Sequence, residues 1–153
     1  MHFDLIAVGA VRGGRDQPTD DHWGNSRARL EIDTSRFQCD ALQGLAAFSH
    51  LEVIYLFDQV DEAAITWGAR RPRDRIDWPQ VGIFAQRAKG RPNRLGVSVC
   101  KLIRVEGMVV DVEGLDAIDG TPILDIKPVF SGFLPRGTVL EPEWATEVMK
   151  NYW

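Results

Sequence analysis

LGVSVCKLIRVEGMVVDVEG, residues 95–114, is the stretch on which the fold class turns. In its first part Val97, Val99, Lys101, Ile103 and Val105 share one face of an extended chain, and Gly96, Ser98, Cys100, Leu102 and Arg104 share the other. Both faces are largely apolar, so this strand is expected to sit centrally in a sheet. The dipeptide Glu106–Gly107 reads as a two-residue turn, and MVVDVEG (108–114) as the antiparallel neighbour that the turn returns.

Working outward, the same pattern of short Val- and Ile-rich runs bounded by Gly, Pro and Asp recurs in five more places. Strands are expected at 3–11, 27–32, 51–57, 81–85 and 123–129. Helical signals are few. DALQGLAAF (40–48) offers Asp40 as an N-cap, and PEWATEVMKNYW (142–153) has Pro142 suited to a first turn, with Trp144, Val148 and Tyr152 forming an apolar stripe for docking. The segment 66–80 has two prolines and no periodicity and reads as a long irregular connection. The elements therefore describe an all-β, mainly antiparallel chain with a few short helices, one of them C-terminal.

A length of 153 residues with 44% apolar content suits one domain, 1–153, with a real core. Cys39 and Cys100 are too few for a disulfide framework, which points to the cytoplasm. No apolar run is long enough to span a bilayer, and the first residues lack a signal-peptide pattern, so no membrane partner is expected. The glycines at 9, 13 and 14 do not form a dinucleotide fingerprint, and no Walker motif or nucleophile elbow occurs. His2, His22 and His50 lack metal-ligand spacing, so no metal site is expected.

Charge is segregated. The net charge of −4 conceals a segment, Arg70–Arg94, with eight cations against Asp74 and Asp77. From Val105 to Ile126 the sign inverts, with six acids (Glu106, Asp111, Glu113, Asp116, Asp119, Asp125) and no Lys or Arg. Two readings are open: neighbouring surface segments that pair their charges, or a polyanion contact beside a pocket for a cationic ligand.

GIFAQRAKGRPNRLGVSVCKL (82–102) and VEGLDAIDGTPILDIKP (112–128), preceded by FSHLEVIYLF (48–57), resemble the TsaA-like or YaeB-like proteins. The resemblance covers about half of the chain. It implies a barrel-like sheet, a homodimer, S-adenosylmethionine (SAM) as cofactor, and methylation of N6 of threonylcarbamoyladenosine in the tRNA anticodon loop. The matched motifs nominate Phe84, Ala85, Arg87, Asn93, Leu95, Leu115, Asp116, Asp119, Gly120 and Thr121 for cofactor binding, and Arg91, Asp125 and Lys127 for catalysis.

The residue chemistry is compatible with that implication. Pro92 forces Arg91 into an extended conformation and Asn93 can take a turn, so the loop can aim the Arg91 fork at a phosphate or a base. Asn93 could equally be spent on the turn itself. An acid-rich loop without lysine suits the cationic groups of SAM, and Phe84 and Leu115 could sandwich its adenine, although core packing would use either. The Asp-Gly and Thr-Pro pairs are also ordinary turn dipeptides. Asp125 or Asp119 could serve as a base, while Lys127 could orient an anion or simply neutralise Asp125. Leu124, Ile126 and Pro128 are expected on one face of their strand, with Asp125 and Lys127 on the other.

Departures from the family pattern fall near the implied substrate side. Arg94 stands where a second proline is common, Asp58 where a histidine is common, and Val129 where an aromatic is common. GGRDQPTDDHWGN (13–25) replaces a Pro-Arg-Gln-type segment, and the sequence stops short of the extension found in longer members. A methyltransferase for another nucleotide or small molecule, or a noncatalytic nucleic-acid-binding barrel, are the competing readings.

Overall fold

Eight strands and one helix organise the chain in a computed structural model that describes residues 1–153. In order they are β1 (Gly9–Arg12), β2 (Arg27–Ile32), β3 (His50–Leu56), β4 (Ala69–Arg70), β5 (Val81–Gly82), β6 (Leu95–Glu106), β7 (Val109–Glu113), β8 (Pro122–Pro128) and α1 (Glu143–Met149). Strands β4 and β5 form a small ribbon; the other six close into a barrel in the order β1-β2-β7-β6-β3-β8. Every pairing is antiparallel. Closure removes the free edges that a short sheet would expose.

Period-two alternation fills the interior. In β3, Leu51, Val53 and Tyr55 are buried while Glu52 and Ile54 lie on the other face. They pack with Val11, Leu30, Val110, Val112, Leu115 and Ile123 in a single core. Strand β6 alternates as expected, with Gly96, Ser98 and Cys100 buried, but Val97, Val99 and Ile103 remain substantially exposed. Its second apolar face is thus uncovered within one chain.

Several boundaries differ from expectation for local reasons. The strand expected at 3–11 begins only at Gly9: Val8 still donates to the Ile123 carbonyl (2.7 Å) and accepts from the Asp33 amide (2.9 Å), but β2 ends at Ile32, and Phe3, Leu5 and Ile6 are exposed. Gly44 at φ 84° interrupts 40–48, which forms turns and a single 3-10 turn at Leu45–Ala47 instead of a helix. The 81–85 segment contributes two strand residues and then a 3-10 turn, Ile83–Ala85. The hairpin turn is Gly107–Met108, one residue later than expected, since Glu106 still pairs with Val109 and Gly107 takes φ 58°.

A register shift where β3 meets β8, between Ile54 and Tyr55, changes which side chains point inward. Ile126 and Pro128 pair with inward Val53 and Leu51, as the alternation requires, yet beyond the shift Ile123, opposite Tyr55, takes the core position. Asp125 and Lys127, opposite Ile54 and Glu52, stay on the outer wall.

The connection from Leu56 to Leu95 is long but built. Buried Gln86 donates its amide to the carbonyls of Arg70 (3.0 Å) and Val81 (2.9 Å), tying the ribbon together. Gly90 passes so close to Ala64 that a Cβ would lie 2.7 Å from its carbonyl oxygen. At one end of the barrel this connection meets the 13–26 and 114–121 loops. Helix α1 and the residues after it dock there too: Trp78 Nε1 donates to Glu147 (2.6 Å), and the amides of His22 and Trp23 donate to the carbonyls of Asn151 (2.8 Å) and Tyr152 (2.7 Å).

Candidate functional site

Antiparallel pairing brings the basic and acidic segments to the same end of the barrel. The basic loop enters β6 at Leu95, paired with Leu56, and the acidic loop enters β8 at Pro122, beside the Tyr55–Ile123 pair. Lys89 also reaches across to the Pro18 carbonyl (3.5 Å), in the loop that contacts Asp119.

Charge compensation divides the cations of 70–94 into two groups. Arg70, Arg73 and Arg75 are neutralised by Asp74, Asp21 and Asp77, whereas Arg71, which donates to the Trp78 carbonyl, is unpaired like the cations of the basic loop. The four of the basic loop are held by backbone carbonyls and none is in an ion pair. Arg87 donates to Val97 (2.6 Å), Lys89 to Pro18, Arg91 to Gln86 (2.9 Å) and Arg94 to Val60 (2.9 Å). A carbonyl fixes a guanidinium without cancelling its charge, so this loop keeps its field.

Local sterics set the loop as the sequence indicated. Arg91 is extended ahead of Pro92 (φ −118°, ψ 158°), and Asn93 turns the chain at φ 63°. Arg94 also has positive φ, 51°, at the position where the resemblance leads one to expect proline, whose ring would forbid it. Phe84 stands 80% exposed on the adjoining turn, next to exposed Ala85.

The acids divide likewise. On the strands and the hairpin they are paired: Glu113 with Arg27 (2.8 Å), Glu106 and Asp111 with Arg104 (both 3.0 Å) and Asp125 with Lys127. In the loop they are not. Asp119 accepts from the Gly13 amide (2.7 Å) while its own amide donates to the Arg15 carbonyl (2.7 Å), and Gly120 turns at φ 84°. Buried Thr121 carries the carbonyl that accepts from Val11 (2.9 Å).

Asp116 has the least expected partners. Tyr55 donates to Oδ1 (2.8 Å) and Tyr152 to Oδ2 (2.5 Å), so each carboxylate oxygen takes one phenol and no cation neutralises the group. Burial first, and then the Asp116 charge, push both phenols far above their ordinary range, which keeps them protonated donors. Cys100 is raised to about 12 by the same two causes in the same order. Neither tyrosine was singled out from the sequence as a site residue; the strand that carries Tyr55 and the stripe containing Tyr152 were visible, but their meeting was not.

Asp116, Asp119, Gly120 and Thr121 therefore share one end of the barrel with Arg87, Arg91, Asn93 and Leu95. Two expectations do not fit this grouping. Leu115 is 1% exposed and belongs to the core, so it does not form a slot with the outward Phe84. Asp125 and Lys127 pair with each other part-way down the outer wall of β8, and Asp125 also accepts from the Ile126 amide (2.9 Å). An apolar cavity of about 490 Å³ lies at the far end, lined by Phe48, Val129, Phe130 and Phe133, but it offers no ionisable group to a charged ligand.

The fold and this end of it define a class: a small closed antiparallel barrel with opposed charged loops at one mouth. Residues 14–133 match the model for the tRNA-methyltransferase O N-terminal domain, and the chain belongs to that family. A Mus musculus protein described as a tRNA (adenine(37)-N6)-methyltransferase is 36% identical over 111 residues, 71% of this chain and 25% of that protein. An Archaeoglobus fulgidus protein described as a probable S-adenosyl-L-methionine-binding protein is 37% identical over 133 residues, 86% of this chain and 35% of that one. The crystal structure of TrmO from Pseudomonas aeruginosa superposes with a TM-score of 0.73 at 28% identity, covering 92% of this chain and 61% of that one. The chain thus spans only part of the length of these relatives.

Proposed function

We propose that this chain binds SAM and methylates N6 of threonylcarbamoyladenosine in the tRNA anticodon loop, working in the cytoplasm as a homodimer. The observation that carries the reading is the juxtaposition of four unneutralised, carbonyl-held cations with a carboxylate held by two phenols. Similarity to proteins described as tRNA methyltransferases and SAM-binding proteins supports it.

The residues present fit the cofactor. Asp116 and Asp119 offer carboxylates that no protein cation cancels, and Phe84 offers an open aromatic face for a purine. The buried Ser98 hydroxyl, one inward position beyond Gly96 on β6, has no hydrogen-bond partner. Asp116 and the 119–121 turn would hold the cofactor, which supplies an electrophilic methyl group when bound. Arg87, Lys89, Arg91 and Arg94 would hold the RNA backbone, with Arg91 and Arg94 aimed by their carbonyls. Asp119, exposed and with one oxygen outside the Gly13 bond, is the carboxylate here that can accept a proton from an attacking nitrogen. The exposed apolar face of β6 is where a second copy would pack.

Calorimetry of SAM against the purified protein, followed by methyl transfer from labelled SAM into tRNA and mass spectrometry of the nucleosides, tests the reading. Absence of SAM binding refutes it. Binding without label in tRNA leaves the cofactor site and overturns the RNA substrate.

A further inference from the structure

Asp116 poses a physical question. A half-buried carboxylate is ordinarily stabilised by a cation, and this chain has 18 of them. Two phenols are used instead, one from the barrel core and one from the segment after α1. Tyr55 also reaches the Asp116 carbonyl (3.2 Å), so loop backbone and side chain are fixed together. Tyr152 is itself held by its carbonyl on Trp23, next to the Asn151–His22 bond, while a Cβ on Gly24 would lie 2.7 Å from the Trp153 carbonyl carbon. The contact is therefore part of a docked segment and not a loose tail.

A neutral donor and a cation have different consequences for a ligand. Both orient the carboxylate, but an arginine would cancel its charge, whereas a phenol leaves that charge in place with an acceptor lone pair unused on each oxygen. We propose that Tyr55 and Tyr152 are positioning residues that hold the Asp116 carboxylate aimed at the cationic end of the methyl donor, and that residues 143–153 thereby form one wall of the donor site. This rests on the cofactor reading above and extends it to a segment outside the 14–133 family match.

The test is calorimetry of SAM with the wild type, Tyr152→Phe, Tyr55→Phe, Asp116→Asn and the Tyr152→Phe/Asp116→Asn double variant, with melting temperatures recorded for each. Each phenylalanine variant should weaken SAM binding about ten-fold, the scale of one hydrogen bond to a charged group. In the Asp116→Asn background, Tyr152→Phe should add no further loss. Unchanged affinity in Tyr152→Phe and Tyr55→Phe, even with a lowered melting temperature, makes the phenols purely structural and overturns the proposal while the cofactor site stands. An undiminished Tyr152→Phe effect in the Asp116→Asn background overturns it also, by showing that Tyr152 acts elsewhere. No SAM binding by the wild type is the separate outcome that removes the cofactor reading itself and this proposal with it.

Discussion

Gly96 and Tyr55 face each other across the β6–β3 pairing, and the Tyr55 ring fills the space that a side chain at 96 would need. A Cβ there would lie 2.3 Å from Cε2 of the ring. Glycine at this position lets a core tyrosine lie flat enough to send its hydroxyl to Asp116. Gly96→Ala should therefore destabilise the protein by about 1–3 kcal/mol, the usual cost of overpacking. A lower urea midpoint measures the strain, and weaker SAM binding should accompany it because Tyr55 is displaced.

Lys89 is the least constrained cation of the basic loop, exposed and reaching only a distant carbonyl. Lys89→Ala should weaken tRNA binding across sequences and reduce the salt slope by about one, with SAM affinity unchanged. Arg91→Ala should cost more, because its guanidinium also supports the Gln86 carbonyl. Filter binding over a salt series distinguishes the two.

The Asp21–Arg73 pair joins the 13–26 loop to the long connection (2.7 Å). Its hydrogen bond with Arg73 holds the Asp21 carboxyl below the usual 3.8 despite partial burial. A depressed folded-state pKa means that the contribution is fully present above the ordinary value and is lost as pH falls through the folded one. Arg73→Gln should thus cost under about 1 kcal/mol at neutral pH, and the difference from wild type should vanish in acid. Denaturation midpoints across an acid pH series give the curve.

The two cysteines should behave oppositely. Cys39 is exposed, whereas Cys100 is buried with its thiol raised to about 12. An aromatic disulfide reagent at about pH 8 should modify one thiol in the native protein and two after denaturation.

The outer face of β6 carries Val99 at 46% exposure between Val97 and Lys101. As the proposed packing face for a second copy, it should reject a charge. Sedimentation should show a dimer for the wild type and a monomer for Val99→Arg, with a closely similar melting transition for the barrel itself.

Much of the barrel was legible because the signal is local. Arg27–Ile32 was bounded correctly from its alternation, and β3, β6, β7 and β8 were placed within a residue or two. The errors occur where a partner decides: residues 3–7 have strand composition but pair with no strand, and the bulge near Tyr55 exchanges Leu124 for Ile123 at the core.

The sequence by itself determined the features that act over a few bonds: the extended Arg91 before Pro92, the turn at Asn93, the alternation of the strands and the segregation of charge along the chain. Only the tertiary structure decided which charges remain uncancelled. Arg73 finds its acid 52 positions away, and Asp116 finds its phenols 61 and 36 positions away. Steric preferences are fixed within a residue or two, whereas the electrostatic state of a side chain depends on whatever barrel closure sets beside it.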